Sequence, residues 1–377
     1  MSYRLSADDE AMCAEVRKFA ARELAPRAQE IDESGEYVTA HLPQLAALGI
    51  MGMNLPPDWG GPGLSAPGLL AAVEAIAGAC ASTASVVTAH YLATDSVLLG
   101  GDDELRRRVL PDAAAGRTLG AFALTEPRAG SNPADMKTRA VRDGGDYRIE
   151  GVKHFISNGA VADFIVVFAI SDPEAGHRGI SAFVVDRETS GVAAGPPEPT
   201  MGLRGGHIFE LSFDCRVPEA NRIGAEGSGF KTAMKVLDNG RVEVAGMSIG
   251  IAQAAFDAAV AWAKERRIGG APLATYQGIE WMLADMATRL EAARLLALRA
   301  AELRQAGERF SKEASMAKLF ASEMAAHVTD RALQIHGGYG YSRGLPLERY
   351  VRDARIMRIF EGTSEVQRNI IAGHILR

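Results

Sequence analysis

The sequence predicts an α+β protein in three consecutive parts. These are a helical N-terminal region (1–117), a small central antiparallel β-domain (118–229) and a C-terminal antiparallel helical bundle (230–377). Three observations carry this reading. Apolar residues recur at helical spacing near both ends of the chain. Short β-rich runs separated by Gly, Asp and Pro occupy the middle. The texture changes sharply near Thr118 and again near Gly229.

The N-terminal part opens with one expected helix over Asp8–Ile31, where Met12, Val16, Phe19 and Ala20 share a face. The run Pro56-Pro57-Asp58-Trp59-Gly60-Gly61-Pro62-Gly63 reads as a loop, and Ala66–Leu99 as helix again. Expected strands are Leu119–Leu124, Phe164–Ile170, Ile180–Val185 and Ile208–Phe213, with a turn at Arg142–Asp146. In the last part Val244, Met247, Ile251, Ala255, Ala259 and Trp262 repeat every three or four residues, as do Ile279, Leu283, Met286 and Leu290. A third helix carries Ala317, Phe320, Met324, Val328 and Ile335, and Gly337-Gly338 stops it. Short connections between such helices imply antiparallel packing.

Composition narrows function. The chain has 377 residues, 47% hydrophobic and 23% charged, which suits a packed globular protein. A net charge of −6 argues against non-specific nucleic-acid binding. Three scattered cysteines offer neither a disulfide framework nor a zinc site, no metal site is expected, and Cys215 reads as a plain surface thiol. With no apolar leader and no long uncharged apolar run, the expectation is a cytoplasmic protein without membrane insertion.

One common catalytic pattern matches. Gly246-Met247-Ser248-Ile249-Gly250 fits the Gly-x-Ser-x-Gly of a serine hydrolase, with Ser248 as nucleophile. That chemistry needs a strand before the serine, whereas the surrounding pattern is helical. Small residues packing a helix against a neighbour account for it better. His154 and His336 likewise read as structural.

Four segments share features that a fold alone does not require. Phe122–Asn132 runs from a strand into a loop rich in hydroxyls and exposed N–H groups around Gly130, suited to an oxygen-rich ligand. Lys153–Gly159 sets Phe155 and Ser157 two apart on one strand face. Gln334–Tyr341 is a glycine-rich turn after a helix. Ile359–Arg368 places Glu361 between Phe360 and Gly362. An apolar neighbourhood raises a carboxylate towards the range of a useful base, and Gly362 allows close backbone approach to a ligand.

At these residues the sequence resembles the acyl-CoA dehydrogenase family. The most specific pieces are Leu124-Thr-Glu-Pro-Arg-Ala-Gly-Ser131 and Glu361-Gly-Thr-Ser-Glu-Val-Gln-Arg368, supported by Gly229–Arg241 and Gln277–Met286 in the same order. The resemblance spans essentially the whole chain. It implies a helical domain, a β-domain and a four-helix bundle. It also implies FAD, an acyl-CoA substrate and α,β-dehydrogenation to the trans-2-enoyl-CoA. Glu361 is then the base that takes the α-proton, and the β-hydrogen leaves as hydride to flavin N5. The thioester carbonyl would lie against a flavin ribose hydroxyl and the Glu361 N–H.

By the same resemblance Phe122, Leu124, Thr125 and Gly130 meet the flavin side, with Ser131 near both FAD and CoA. Phe155 and Ser157 flank the ring. Arg266, Gln277, Gln334 and Gly338 hold the FAD of a partner subunit, and Thr363 and Glu365 meet the FAD phosphate and ribose region. Asp238, Arg241, Phe360 and Gly362 line the acyl-CoA cleft. Thr363 also reads as a helix cap, and Asp238 with Arg241 as a helical ion pair. An electron-transferring flavoprotein is the implied electron acceptor, and a homo-oligomer built as a dimer of dimers the implied assembly.

The chain departs from the family's pattern in places. Phe155 stands where Trp is usual, Ser157 where Thr is usual, and Asn132 where Asp is usual. Arg128 and His207 are further departures. Gly269 replaces a Phe that packs on the partner's cofactor, which implies weaker FAD retention. Thr83 stands where glutaryl-CoA dehydrogenases carry an arginine, which favours a short or branched acyl group without a carboxylate tail. Other flavin chemistry on the same fold, by an oxidase, monooxygenase or desulfinase, is the alternative; the retained Glu361 favours dehydrogenation.

Overall fold

The computed structural model describes residues 5–376. Its first helix, α1 (Ala7–Phe19), starts where Ser6 accepts a hydrogen bond from Asp9 N, with acidic Asp8, Asp9 and Glu10 in the first turn. The single helix expected over Asp8–Ile31 keeps right-handed helical dihedrals at its joints but does not hold one pitch. A wide turn at Ala20–Leu24 and a tight one at Ala25–Arg27 separate α1 from α2 (Ala28–Ser34). Pro26 is the cause, because it cannot donate to the preceding turn. Helices α3 (Leu42–Ala47), α4 (Ala66–Ala79), α5 (Ala81–Gly100) and α6 (Asp103–Ala114) complete this part. Cys80, with φ −150, divides α4 from α5.

Among the described residues, seven strands form the central sheet: β1 (Gly120–Ala123), β2 (Arg139–Asp143), β3 (Asp146–Ser157), β4 (Phe164–Ile170), β5 (Ile180–Asp186), β6 (Val192–Ala194) and β7 (Ile208–Pro218). The order is β1-β4-β2-β3-β7-β6, with β5 pairing β4. Hairpin and meander pairs are antiparallel, while β1 joins β4 in parallel. Asp143 pairs with Asp146 across Gly144-Gly145, so the expected turn is a two-residue hairpin. Strand β7 runs on to Pro218, and its alternation turns Phe213, Cys215 and Val217 inward. Cys215 is therefore buried, not a surface thiol, and burial pushes its thiol up to about 11.

The C-terminal part is built on α7 (Gly229–Glu265), α8 (Gln277–Gln305) and α9 (Ser311–His336). A small hairpin, β8 (Arg267–Ile268) and β9 (Ala271–Pro272), links the first two. Gly337 ends α9, as its position predicts, with φ 60. Short α10 (Gly338–Tyr341), α11 (Leu347–Ile356) and α12 (Ser364–Leu376) follow. α7 is long and apolar enough to cross a bilayer, but it is the bundle's central helix and packs against α4, α5, α8 and α9.

That packing explains the Gly-x-Ser-x-Gly pattern. Ser248 is wholly buried inside α7 and its Oγ donates to Val244 O at 2.8 Å, so no nucleophile elbow exists. A Cβ on Gly246 would lie 3.0 Å from a Leu70 methyl, and one on Gly250 would overlap Glu74 O. The two glycines let α7 and α4 approach closely. Gly250→Ala is accordingly expected to destabilise the fold by about 1–3 kcal/mol, the usual cost of overpacking a core. Urea unfolding measures it, and an unchanged midpoint would remove the close-approach argument.

Candidate active site

Glu361 lies in the turn between α11 and α12, and the turn is strained. Glu361 and Gly362 have φ 52 and 94, both in the left-handed region. A non-glycine residue is uncommon there and persists only where its surroundings hold it. Two buried side chains hold it. Gln367 Nε2, buried in α12, donates to Glu361 O and to Gly362 O, each at 3.0 Å. Lys318 Nζ, buried in α9, donates to Gly362 O at 2.7 Å. Thr363 Oγ1 accepts from Val366 N and so caps α12; its capping role is satisfied here.

This backbone aims the Glu361 carboxylate at α7. A Cβ built on Gly240 would overlap Glu361 Oε2, and would lie 2.8 Å from Leu92 Cδ2 of α5. Oε2 is buried and has no hydrogen-bond partner among the described residues. Burial pushes the carboxyl up to about 7, while Lys318 and Arg241 pull it down. The Glu361 N–H meets no acceptor in the described chain. A carboxylate near neutrality, with a free oxygen and a free N–H beside it, can take a proton from a bound ligand.

Arg241 and Asp238 sit one helical turn apart on α7, 2.5 Å between Nη1 and Oδ1, and Ser311 Oγ also donates to Asp238. Both members of this pair are largely buried beside Glu361, and Arg241 Nε is left without a partner. Both readings of these residues therefore meet: they are an ion pair, and they stand at the base. Phe360 is half-buried against the core of the bundle.

The second wall comes from the sheet. Phe122 and Leu124 lie at the end of β1, followed by Thr125 and an exposed loop with Gly130 and Ser131. Beside it, β3 slips register against β7 between Lys153 and Ile156. This bulge breaks the regular alternation expected for Phe155 and Ser157. Phe155 takes φ 58, stands 56% exposed and stacks on His154 at 4.1 Å. A large ring held out of the sheet in a costly conformation is what a flat ligand needs.

Lys153 ties the two segments together. Its wholly buried Nζ donates to Leu124 O at 3.1 Å and to Glu126 Oε1 at 2.9 Å. Glu126 also accepts from Lys137 N and Thr138 N. Burial raises the Glu126 carboxyl, but Lys153 and Thr138 bring it below its usual value.

A third region lies at the surface of the bundle. Arg266, Gln334 and Gly338 border a cavity of about 610 Å³ with Trp262, His336 and Tyr339. The Arg266 guanidinium lies over the Trp262 and Tyr339 rings, 5.9 and 5.4 Å from their centroids. Nothing would obstruct a Cβ on Gly338, so the glycine turn is open to a ligand. Gln277 is exposed at the start of α8, and Glu365 is exposed in the first turn of α12.

Gly269 has a local reason to be glycine. With Gly270 it forms the turn of the β8–β9 hairpin, with φ 58 and 84. A phenylalanine there would be strained by about 1–2 kcal/mol, and Tyr276 already occupies the adjacent space, its hydroxyl donating to Ile268 O. The absent aromatic is thus bound up with the turn. Thr83 is buried and hydrogen-bonded to His41 at 2.9 Å. His207 bonds Gly35 O, and Arg128 is exposed.

Sequence reasoning missed Lys153, Lys318 and Gln367. The signal available was a lysine or glutamine inside an otherwise apolar helical or strand face, which in the sequence alone reads as surface.

Comparisons with known proteins agree with this architecture part by part. Models for the N-terminal, middle and C-terminal domains of acyl-CoA dehydrogenases match residues 6–117, 121–215 and 227–376. An acryloyl-CoA reductase (NADH) of Anaerotignum propionicum is 43% identical over 100% of this chain and 96% of its own. The solved butyryl-CoA dehydrogenase of Megasphaera elsdenii is 38% identical and superposes with TM-score 0.97 over 100% of both chains. A chain from a structure of the electron-transferring flavoprotein of Acidaminococcus fermentans is 39% identical, with TM-score 0.98 over 100% of both.

Proposed function

Because the chain belongs to the acyl-CoA dehydrogenase family, we propose that it removes the α-proton of a short acyl-CoA on Glu361 and yields the trans-2-enoyl-CoA. It is a flavoenzyme, and FAD is its cofactor. The carrying observation is the Glu361 carboxylate: buried, partner-free at Oε2, raised to about 7 and fixed by a strained turn.

The residues present fit FAD. The out-turned Phe155 ring and the Thr125–Ser131 loop offer a flat apolar surface beside hydroxyls. Arg266 and the open Gly338 turn offer a cation and backbone N–H groups for the anionic part of a partner subunit's FAD. When bound, FAD supplies a hydride acceptor. Glu361 holds the proton at Oε2, and the free Glu361 N–H donates towards the thioester carbonyl, where negative charge develops. Arg241 and Lys318 favour the ionised form of the base against the burial that disfavours it.

Partners follow the same reasoning. The Arg266 cavity opens at the surface, and Trp281, Tyr339 and Tyr341 of the bundle are exposed. These features support a homo-oligomer, a dimer of dimers, in which Arg266, Gln277, Gln334 and Gly338 meet the partner's FAD. The likeness to the chain from the Acidaminococcus structure supports an electron-transferring flavoprotein as acceptor.

The relatives named for acryloyl-CoA and butyryl-CoA support a short acyl group. Thr83, buried and neutral, adds no cation for a distal carboxylate. Anaerobic mixing with a series of acyl-CoAs, read by bleaching of the flavin, is expected to give the highest kcat/KM at short or branched chains. A maximum at about ten carbons or more would reject the substrate assignment. Sustained peroxide formation in air would assign an oxidase instead.

A further inference from the structure

Lys318 carries a buried charge that hydrogen bonding alone does not explain. Its side chain is wholly buried on α9, and its Nζ donates to a neutral carbonyl, Gly362 O. No carboxylate lies within salt-bridge distance of it among the described residues. Gln367 already donates to that same carbonyl. An ammonium so placed is costly, and burial lowers it to about 8. What Lys318 adds beyond Gln367 is therefore positive charge, next to the turn that carries Glu361.

The surrounding charges make Glu361 the group on which that charge acts. Glu361 is the strongest attraction on Lys318, ahead of Glu323 on the same helix and Glu365 on α12. Glu323 is engaged with Arg358 and Ser364, and Glu365 is exposed. From α7, Arg241 acts in the same sense on Glu361 but is shared with Asp238, itself influenced by His374. Glu243, also on α7, opposes an ionised Glu361 and is held mainly by Arg304.

We infer that Lys318 is a positioning residue for the base: its ammonium pins the Gly362 carbonyl, fixing the left-handed turn, and its charge keeps the Glu361 carboxylate ready to accept a proton. This rests on reading Glu361 as the base.

The test uses the flavin-loaded enzyme with Lys318→Met and Lys318→Gln. Lys318→Met is expected to lower kcat about tenfold or more, with KM nearly unchanged. Removing a cation disfavours the carboxylate, so its pKa rises and activity fails at a higher pH as the solution is acidified. The acid limb of kcat should move up by about one pH unit. Lys318→Gln keeps a donor to Gly362 O without the charge, so it should show the same movement with a smaller loss on the alkaline side. An infrared titration of the Glu361 carboxyl stretch, identified by its disappearance in Glu361→Gln, should move the same way with and without flavin.

An acid limb and a carboxyl titration that stay in place overturn the inference, whether kcat is normal or reduced, because a lysine of merely structural value would lower kcat without moving them. Should Lys318→Met not fold, Lys318→Gln decides by the same two readings. If Glu361→Gln still reduces flavin normally, the base assignment falls; if Glu361→Gln is inert and the limb does not move, the role of Lys318 alone falls.

Discussion

Glu361→Gln will leave a folded, yellow protein that binds acyl-CoA and reduces its flavin about 10²–10⁴-fold more slowly than the parent, the span contributed by a positioned base. The amide keeps the shape of the carboxyl and can meet the same neighbours, but it cannot take the α-proton. The left-handed turn should survive, since the donors that hold it, Gln367 Nε2 and Lys318 Nζ, act on the backbone carbonyls of Glu361 and Gly362 and not on the carboxyl. The exchange also removes a carboxylate whose burial disfavours its charged form, at the expense of leaving Lys318 and Arg241 without its charge. Thermal unfolding and flavin content should therefore stay close to those of the parent. Rapid anaerobic mixing reads the reduction step directly. A rate near the parent's would send the search to another base.

The parts of this site that were legible in the sequence are those whose residue types are unusual for their surroundings. A carboxylate between Phe360 and Gly362 stands out, and Gly337 after an apolar helical repeat marks a helix end whatever the tertiary fold. The helix around Ser248 was legible too, and it disposed of the hydrolase pattern. What escaped was set by tertiary contacts. Strand β3 buries Tyr147, Ile149 and Lys153 while Arg148, Glu150 and Val152 face water, but the bulge after Lys153 interrupts that alternation. The left-handed Phe155 has no glycine to announce it. Lys153 and Lys318 are buried charges, and their reason for being buried lies on segments 27 and 44 residues away. The change of pitch ahead of Pro26 in the first helix was written in the sequence, yet the apolar spacing on either side runs through it.

Gly240 offers the sharpest check on where the base points. Its missing side chain is the space that Glu361 Oε2 fills. Gly240→Ala should be tolerated by the fold, because the atoms it displaces are the tip of the Glu361 side chain and a Leu92 methyl, both able to move. Catalysis should not tolerate it. A displacement of about 1 Å in a reacting group can cost about 10²-fold, so kcat should fall on that order while unfolding and flavin content stay near the parent's. The converse exchange follows. Glu361→Gly places a glycine where φ is 52 and clears the space opposite position 240, though by itself it abolishes the base. Adding Gly240→Glu then returns a carboxylate to the same pocket from α7. That double variant should recover at least about tenfold over Glu361→Gly alone, short of the parent because the angle of approach differs. A Gly240→Ala enzyme with unchanged kcat, or a double variant no faster than Glu361→Gly, would mean that the carboxylate does not face α7 during turnover.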